Sequence, residues 1–151
     1  MYPHHQRAID SLLSYLQDDT HILAVILGGS VAKGCARPDS DIDAIVAVTD
    51  ERYGQLAASN LTAQSIYGHC DYEGGYFDLK YCTKGFLEAA ASHGSEPARN
   101  AFVKARCIKC VDEEIAALVP TIGVFQTSER EAKQKSFYAA ILLNKGYFWQ
   151  M

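Results

Sequence analysis

At 151 residues the chain is sized for one domain with a real hydrophobic core, and 48% hydrophobic against 21% charged residues describes an ordinary globular protein, not a disordered one. A net charge of −4, from 14 basic and 18 acidic residues, lacks the electrostatic footprint with which duplex-binding proteins neutralise phosphates, so duplex nucleic acid is not an expected partner. No apolar run approaches the roughly 20 residues of a membrane span, Met1 to Arg7 lacks a signal peptide's apolar segment, and the cysteines form no regular framework; a cytoplasmic setting without a membrane is the expectation.

From His4 to Asp18, the residues Ile9, Leu12, Leu13 and Leu16 recur at helical spacing and give one apolar stripe. His4 and His5 precede it, and an adjacent pair at a frayed helix end reads as solvated. Ile22 to Leu27 is a continuous apolar run, a strand ending in Gly28-Gly29, where the backbone is free to take positive φ and to approach a ligand closely. Ser30 then opens a short helix whose unpaired N–H groups and dipole favour an anion; the plainer alternative is an N-cap. Lys33 and Arg37 either help to hold such an anion or are solvated side chains of the turn. The segment lacks a Gly-Lys-Ser/Thr ending, and no Gly-x-Gly-x-x-Gly occurs in the chain, which removes the other phosphate-loop readings.

Pro38-Asp39-Ser40 is turn chemistry that delivers the chain into a strand from Asp41 to Val48. Asp41 and Asp43 share one face of it while Ile42, Ala44 and Val46 share the other. Their backbone positions are then roughly 6.5 Å apart, a separation suited to side chains converging on metal ions roughly 3.5 to 4 Å from each other. Without cations the two carboxylates repel.

Gly29-Ser30, Gly34, Ser40-Asp41-Ile42-Asp43 and the apolar Ala44-Ile45-Val46 together resemble the signature of the nucleotidyltransferase superfamily typified by DNA polymerase beta. The branch of minimal and aminoglycoside nucleotidyltransferases is the nearest in pattern. Gly-Ser or Asp-x-Asp alone is weak evidence; both at this spacing, each on the end of an apolar strand, are more specific. The resemblance implies a third carboxylate from a later strand in an apolar setting.

Thr49-Asp50-Glu51 starts a helix carried by Arg52 to Ser59. Between Ser65 and Cys82 the pattern predicts two antiparallel strands turning through Glu73-Gly74-Gly75, with Phe77, Leu79 and Tyr81 alternating with Tyr76, Asp78 and Lys80. Asp78 is the candidate third carboxylate. Because neighbouring strands lie about 4.8 Å apart, it reaches the metal of Asp41 and Asp43 if its strand packs beside theirs; otherwise it is an exposed aspartate on an edge strand. Asp71 and Glu73 compete for the role, closer to the turn and less well flanked by core residues.

Thr83 caps a helix to about Ser92 with Phe86, Leu87 and Ala90 inward, and Ser95-Glu96-Pro97 opens another, on which Arg99 and Lys104 are nucleotide contacts or members of a solvated face. Arg106 to Val111 reads as a final strand, and Asp112 caps a helix through Leu118 that Pro120 closes. Cys107 and Cys110 match Cys-x-x-Cys, but residues three apart on a strand face opposite sides and there is no second pair. Cys35, Cys70 and Cys82 are most simply buried small hydrophobes. Ser128-Glu129-Arg130-Glu131 resembles a capping box before a long helix that carries Phe137, Tyr138, Ile141, Leu142, Leu143, Tyr147, Phe148 and Trp149, apolar almost all round. Such a helix needs burial on most faces. The expectation is that Met151 is not the end of the functional unit: the helix continues into a helical domain or packs on a second copy as a homodimer.

The expected fold is α/β (α+β), a nucleotidyltransferase domain over residues 1–123 with a mixed β-sheet flanked by helices, followed at 124–151 by the first helix of a C-terminal extension. The resemblance implies metal-dependent transfer of a nucleoside monophosphate, AMP from ATP, to a hydroxyl on a small-molecule or protein acceptor, with release of pyrophosphate. In that reading Asp41 and Asp43 bridge two Mg²⁺ ions, with Mn²⁺ the alternative metal, and Asp78 holds the second ion and accepts the proton. Gly29 and Ser30 grip the outer phosphates, helped by Lys33 and Arg37. The competing readings are a protein-modifying adenylyltransferase of a toxin–antitoxin pair and a non-catalytic nucleotide-binding regulatory module.

Overall fold

A computed structural model describes residues 1–148 of the chain, with side chains to residue 146. Helix α1 (Pro3–Tyr15) leads into β1 (Ile22–Leu27), the short α2 (Gly29–Lys33), β2 (Ile42–Val48) and α3 (Asp50–Ala58). Then come β3 (Ala63–Ile66), β4 (Phe77–Thr83), α4 (Lys84–His93), α5 (Glu96–Ala101), β5 (Arg106–Cys110), α6 (Glu113–Ile122) and α7 (Arg130–Phe148). The strands form one mixed sheet in the order β3-β4-β2-β1-β5. Only β2 and β4 run parallel; the other neighbours are antiparallel.

Alternation along the strands sorts side chains onto two faces. On one, Leu27, Ile42, Ala44, Val46, Phe77 and Leu79 pack against Ala8, Ile9, Leu12 and Leu16 of α1. On the other, Ala24, Ile26, Ala47 and Cys82 pack against Leu87 and Ala90 of α4, Phe102, and Ile115, Val119 and Ile122 of α6. Each fully buried side chain of the size of Phe77 or Leu12 contributes ~1.5–3 kcal/mol. Local capping sets the helix starts as expected: Thr49, Thr83, Ser95 and Asp112 each accept from a first-turn backbone N–H.

Several expectations are corrected. The hairpin through Glu73-Gly74-Gly75 is looser than expected: β3 and β4 pair antiparallel and Glu73-Gly74 is a turn, but β3 ends at Ile66, so the whole of 67–76 is a loop before β4. Pro120 lies inside α6, which runs on to Ile122; the exposed ring costs a local backbone bond that packing of Val119 and Ile122 offsets. Phe86, expected inward, is 47% exposed. Cys35 is exposed and Cys70 half-buried, since one sits just past the glycine turn and the other in the 67–76 loop; only Cys82 of those three is buried, and all five cysteines are free.

Arg99 is neither a solvated side chain nor available to a ligand. It is buried, and its guanidinium donates to the carbonyls of Gly94 (3.1 Å), Val124 (3.1 Å) and Ala91 (2.7 Å), tying the end of α4 to the segment after α6. In α7 the side chains of Phe137, Tyr138, Ile141, Leu142 and Leu143 are exposed, so nothing among the described residues of this chain supplies the burial their pattern demands. The helix is fastened at its start, where Lys133 bridges Glu96 of α5 (2.5 Å) and Glu129 (2.7 Å). Trp149 lies outside the described residues. No helix among them is long and apolar enough to cross a membrane.

His5 departs furthest from its expected solvated state. It is fully buried, neither ring nitrogen has a hydrogen-bond partner, and the rings of His4 and Tyr72 stand 4.4 and 5.3 Å away between centroids. Burial, helped by the neighbouring His4 charge, lowers its pKa. An unfolded histidine takes up a proton near pH 6.5 while this folded one resists it. The unfolded state therefore binds more protons, and stability falls as pH drops below that value. Thermal unfolding between about pH 7.5 and 5 should show a decline in wild type that is flatter in His5→Leu; parallel profiles would show that His5 does not carry it.

Candidate metal and phosphate site

The site begins with a turn that only glycine permits. Gly29 has φ +59°, and a Cβ built there would lie 1.7 Å from Oδ2 of Asp43. The backbone after β1 thus runs directly against the carboxylate of the neighbouring strand, and the Gly28 N–H donates to the Asp43 carbonyl at 3.0 Å. A left-handed Gly34 (φ 78°) ends α2 and returns the chain towards β2.

Parallel pairing then decides the rest. In the β2–β4 ladder Asp43 stands opposite Asp78, with Ile42 opposite Phe77 and Ala44 opposite Leu79. Because Ile42, Ala44, Phe77 and Leu79 all enter the α1 side of the core, both carboxylates emerge on the opposite face. Asp41, just before β2, joins them: one oxygen from each of Asp41, Asp43 and Asp78 can be chosen so that all lie within 4.8 Å of one another. Asp71, the competitor, is instead held by Arg7 at 2.6 Å on the surface, and Glu73 lines a separate groove with His4 and Pro38.

Burial first, then the charges of Asp41 and Asp78, hold the Asp43 carboxyl above the usual carboxylate range. Proximity of Asp41, through hydrogen bonding and charge, likewise pushes the Tyr76 phenol up to about 12. Lys80, two residues beyond Asp78 on the same strand face, partly neutralises the group with an ion pair to Asp78 at 3.0 Å. Ser30 carries a buried hydroxyl oxygen without a hydrogen-bond partner. An oxygen-only donor set with excess negative charge, beside an unsatisfied hydroxyl, fits hard divalent cations and the anion they would accompany.

A cleft of about 220 Å³ opens over this cluster, lined among others by Gly28, Gly29, Lys33, Asp43, Asp78 and Lys80. Of the two basic residues expected near a phosphate, Lys33 lines the cleft. Arg37 does not: its guanidinium is largely exposed and pairs with Asp39 at 3.1 Å. Lys104 donates to the Lys33 carbonyl at 3.3 Å. Lys80 was legible in the strand alternation that singled out Asp78, but a lone lysine on a strand carries no signal until its neighbour is known to be a cluster of acids.

A family model described as "Polymerase beta, Nucleotidyltransferase" matches residues 10–95. No curated protein matches the chain. Among solved structures 15 chains match. One of them, the "Crystal structure of the toxin-antitoxin with AMP-PNP", is 17% identical, with 88% of this chain and 97% of that chain covered and a TM-score of 0.48.

Proposed function

The chain belongs to the polymerase beta nucleotidyltransferase family, and from that premise we propose that it moves a nucleoside monophosphate, AMP from ATP, onto a hydroxyl of an acceptor and releases pyrophosphate. The observation that carries this reading is the convergence of Asp41 and Asp43 with Asp78, which comes from a strand far along the chain, beside a glycine turn.

Two divalent ions, Mg²⁺ or Mn²⁺, held by Asp41, Asp43 and Asp78 would offset the triphosphate charge and lower the pKa of the attacking hydroxyl. Gly29 leaves the backbone room at the outer phosphates, the unpaired Ser30 hydroxyl donates to one of their oxygens, and Lys33 adds a positive charge from the cleft wall. These groups orient the α-phosphorus so that the acceptor oxygen attacks in line with the departing pyrophosphate. Asp78 accepts the acceptor's proton, the new oxygen–phosphorus bond forms, and the bond from the α-phosphorus to the bridging oxygen breaks. Asp78 must first be released from Lys80, whose ammonium is then free for a phosphate oxygen.

Isothermal titration of ATP with Mg²⁺ into the full chain and into Asp43→Asn tests the reading. Binding should require the metal and weaken about tenfold or more in the variant. Metal-independent binding, or equal binding by the two proteins, would remove the metal role; pyrophosphate release from labelled ATP separates a transferase from a regulatory binder.

A further inference from the structure

On a regular strand Cys107 and Cys110 would face opposite sides of the sheet. Strand β5 is not regular. Its pairing with β1 sets Arg106 against Leu27 and Cys107 against Ile26, then Lys109 against Val25 and Cys110 against Ala24, so Ile108 is an extra residue held in a β-bulge. The bulge shifts the alternation by one position. Ile26 and Ala24, the partners of the two cysteines, both enter the core on the α4 and α6 side, and Cys107 packs there with them. Ile108 instead joins Val25 in the core on the α1 side. Contrary to the expectation from their spacing, Cys107 and Cys110 therefore share one face of the sheet.

Because their partners lie two residues apart on β1, the two cysteine Cα atoms are ~6.6 Å apart along the sheet, inside the span of about 4.4–6.8 Å that a disulfide bridges. The sulfurs are near enough to interact: burial first, then the charge and hydrogen bonding of Cys110, push the Cys107 thiol up to about 11. Accessibility divides the pair. Cys110 lies at the end of an edge strand and is exposed, its thiol donating to the Asp112 carbonyl at 3.0 Å, whereas Cys107 is half-buried. A structural zinc takes four ligands, and among the described residues the one cluster of three or more metal-ligating side chains is Asp41, Asp43 and Asp78. Two thiols on one face, one open to solvent and one behind it, suit thiol–disulfide exchange better than metal binding.

We propose that Cys107 and Cys110 are a redox-active dithiol, which a low-molecular-weight disulfide oxidises reversibly to a Cys107–Cys110 bond across the bulge. Cys110, as its thiolate, attacks one sulfur of that disulfide and expels the other as a thiolate, leaving a mixed disulfide on the protein. Cys107 then releases its proton to solvent, attacks the Cys110 sulfur and expels the second small thiolate. The two protein thiols are oxidised to one disulfide as the small disulfide is reduced to two thiols. An excess of small thiol runs the sequence backwards, so that in a reducing compartment the bond is transient and responds to the redox balance. The exchange needs neither nucleotide nor divalent ion and stands apart from the transfer proposed above.

The test incubates the reduced full chain with oxidised glutathione and follows intact mass and tryptic peptides. Wild type should lose two hydrogens and regain them with dithiothreitol. Trypsin cuts after Arg106 and Lys109, so the new bond should hold together the two peptides that begin at Cys107 and Cys110. Cys107→Ser should stop at a glutathione adduct on Cys110. Cys110→Ser should react about tenfold or more slowly, because the half-buried thiol must then make the first attack. Cys82, buried with its thiol pushed up to about 12, should stay unmodified throughout, a gauge that the chain remains folded. The proposal is overturned if wild type keeps all its thiols free, halts at the adduct, joins two copies through Cys110, or reacts at Cys82 as fast as at Cys110.

Discussion

Gly29→Ala should abolish Mg²⁺-dependent ATP binding while also lowering thermal stability, although the substitution adds one methyl group. Two independent constraints meet at this residue. Its φ of +59° costs an L side chain ~1–2 kcal/mol, which alone corresponds to about 2–8 °C in Tm for a domain of this size. The added Cβ would also stand 1.7 Å from Asp43 Oδ2 and 2.4 Å from its Cγ, closer than atoms can approach. The carboxylate is anchored on β2 between buried Ile42 and Ala44, so either Asp43 rotates out of the cluster or the turn pulls away from it. Each response destroys the metal and phosphate geometry together. Thermal denaturation and calorimetry on the purified variant check both halves; wild-type ATP affinity in Gly29→Ala would mean that the close approach of turn and carboxylate has no part in binding.

Asp78→Asn should divide binding from chemistry. The amide keeps the size and shape of the side chain, so the β3–β4–β2 pairing around it has no reason to change. Asp41 and Asp43 remain to hold the ion that accompanies the triphosphate, and ATP affinity should fall only modestly. Loss of the group assigned to receive the acceptor's proton is expected to slow pyrophosphate release by ~10²–10⁴-fold, with the loss in kcat and not in KM. A variant that turns over normally would take Asp78 out of the chemistry and leave it to Asp41 and Asp43. The ion pair with Lys80 sharpens the contrast: removing the charge frees Lys80 without removing it, so an electrostatic effect on phosphate binding would tighten ATP, opposite in sign to loss of a ligand.

Much of this protein was legible one segment at a time. The apolar run Ile22 to Leu27 followed by two glycines is a strand and a turn on local grounds, and the structure places β1 on those same six residues. Asp41 and Asp43 separate from Ile42 and Ala44 through the twofold period of any strand. Thr49, Thr83, Ser95 and Asp112 mark helix starts because a short oxygen-bearing side chain can satisfy a free N–H within its own turn. Each of these outcomes depends on atoms within a few residues, so the chain alone decides them.

What escaped the chain alone depends on partners distant in sequence. The 67–76 loop looks like a hairpin turn because Gly74 and Gly75 are turn residues in any context. Yet Gly74 packs against Asp39, with its Cβ position 3.0 Å from that residue's carbonyl oxygen, and Tyr72 donates to the Ser40 carbonyl at 2.8 Å. The loop is shaped by the segment before β2, not by its own strands. Arg99 reads as a surface cation until three carbonyls, two from the end of α4 and one from the segment after α6, enclose it. Phe86 reads as core until α5 is found to leave a cavity beside it. The carboxylates follow the same rule: local period decides which way Asp43 and Asp78 point, but only the parallel docking of β4 on β2, across the intervening α3 and β3, sets them opposite each other. Strand pairing of that kind is a nonlocal choice driven by burial of Phe77 and Leu79 against α1, and it brings Asp78 to the pair Asp41 and Asp43.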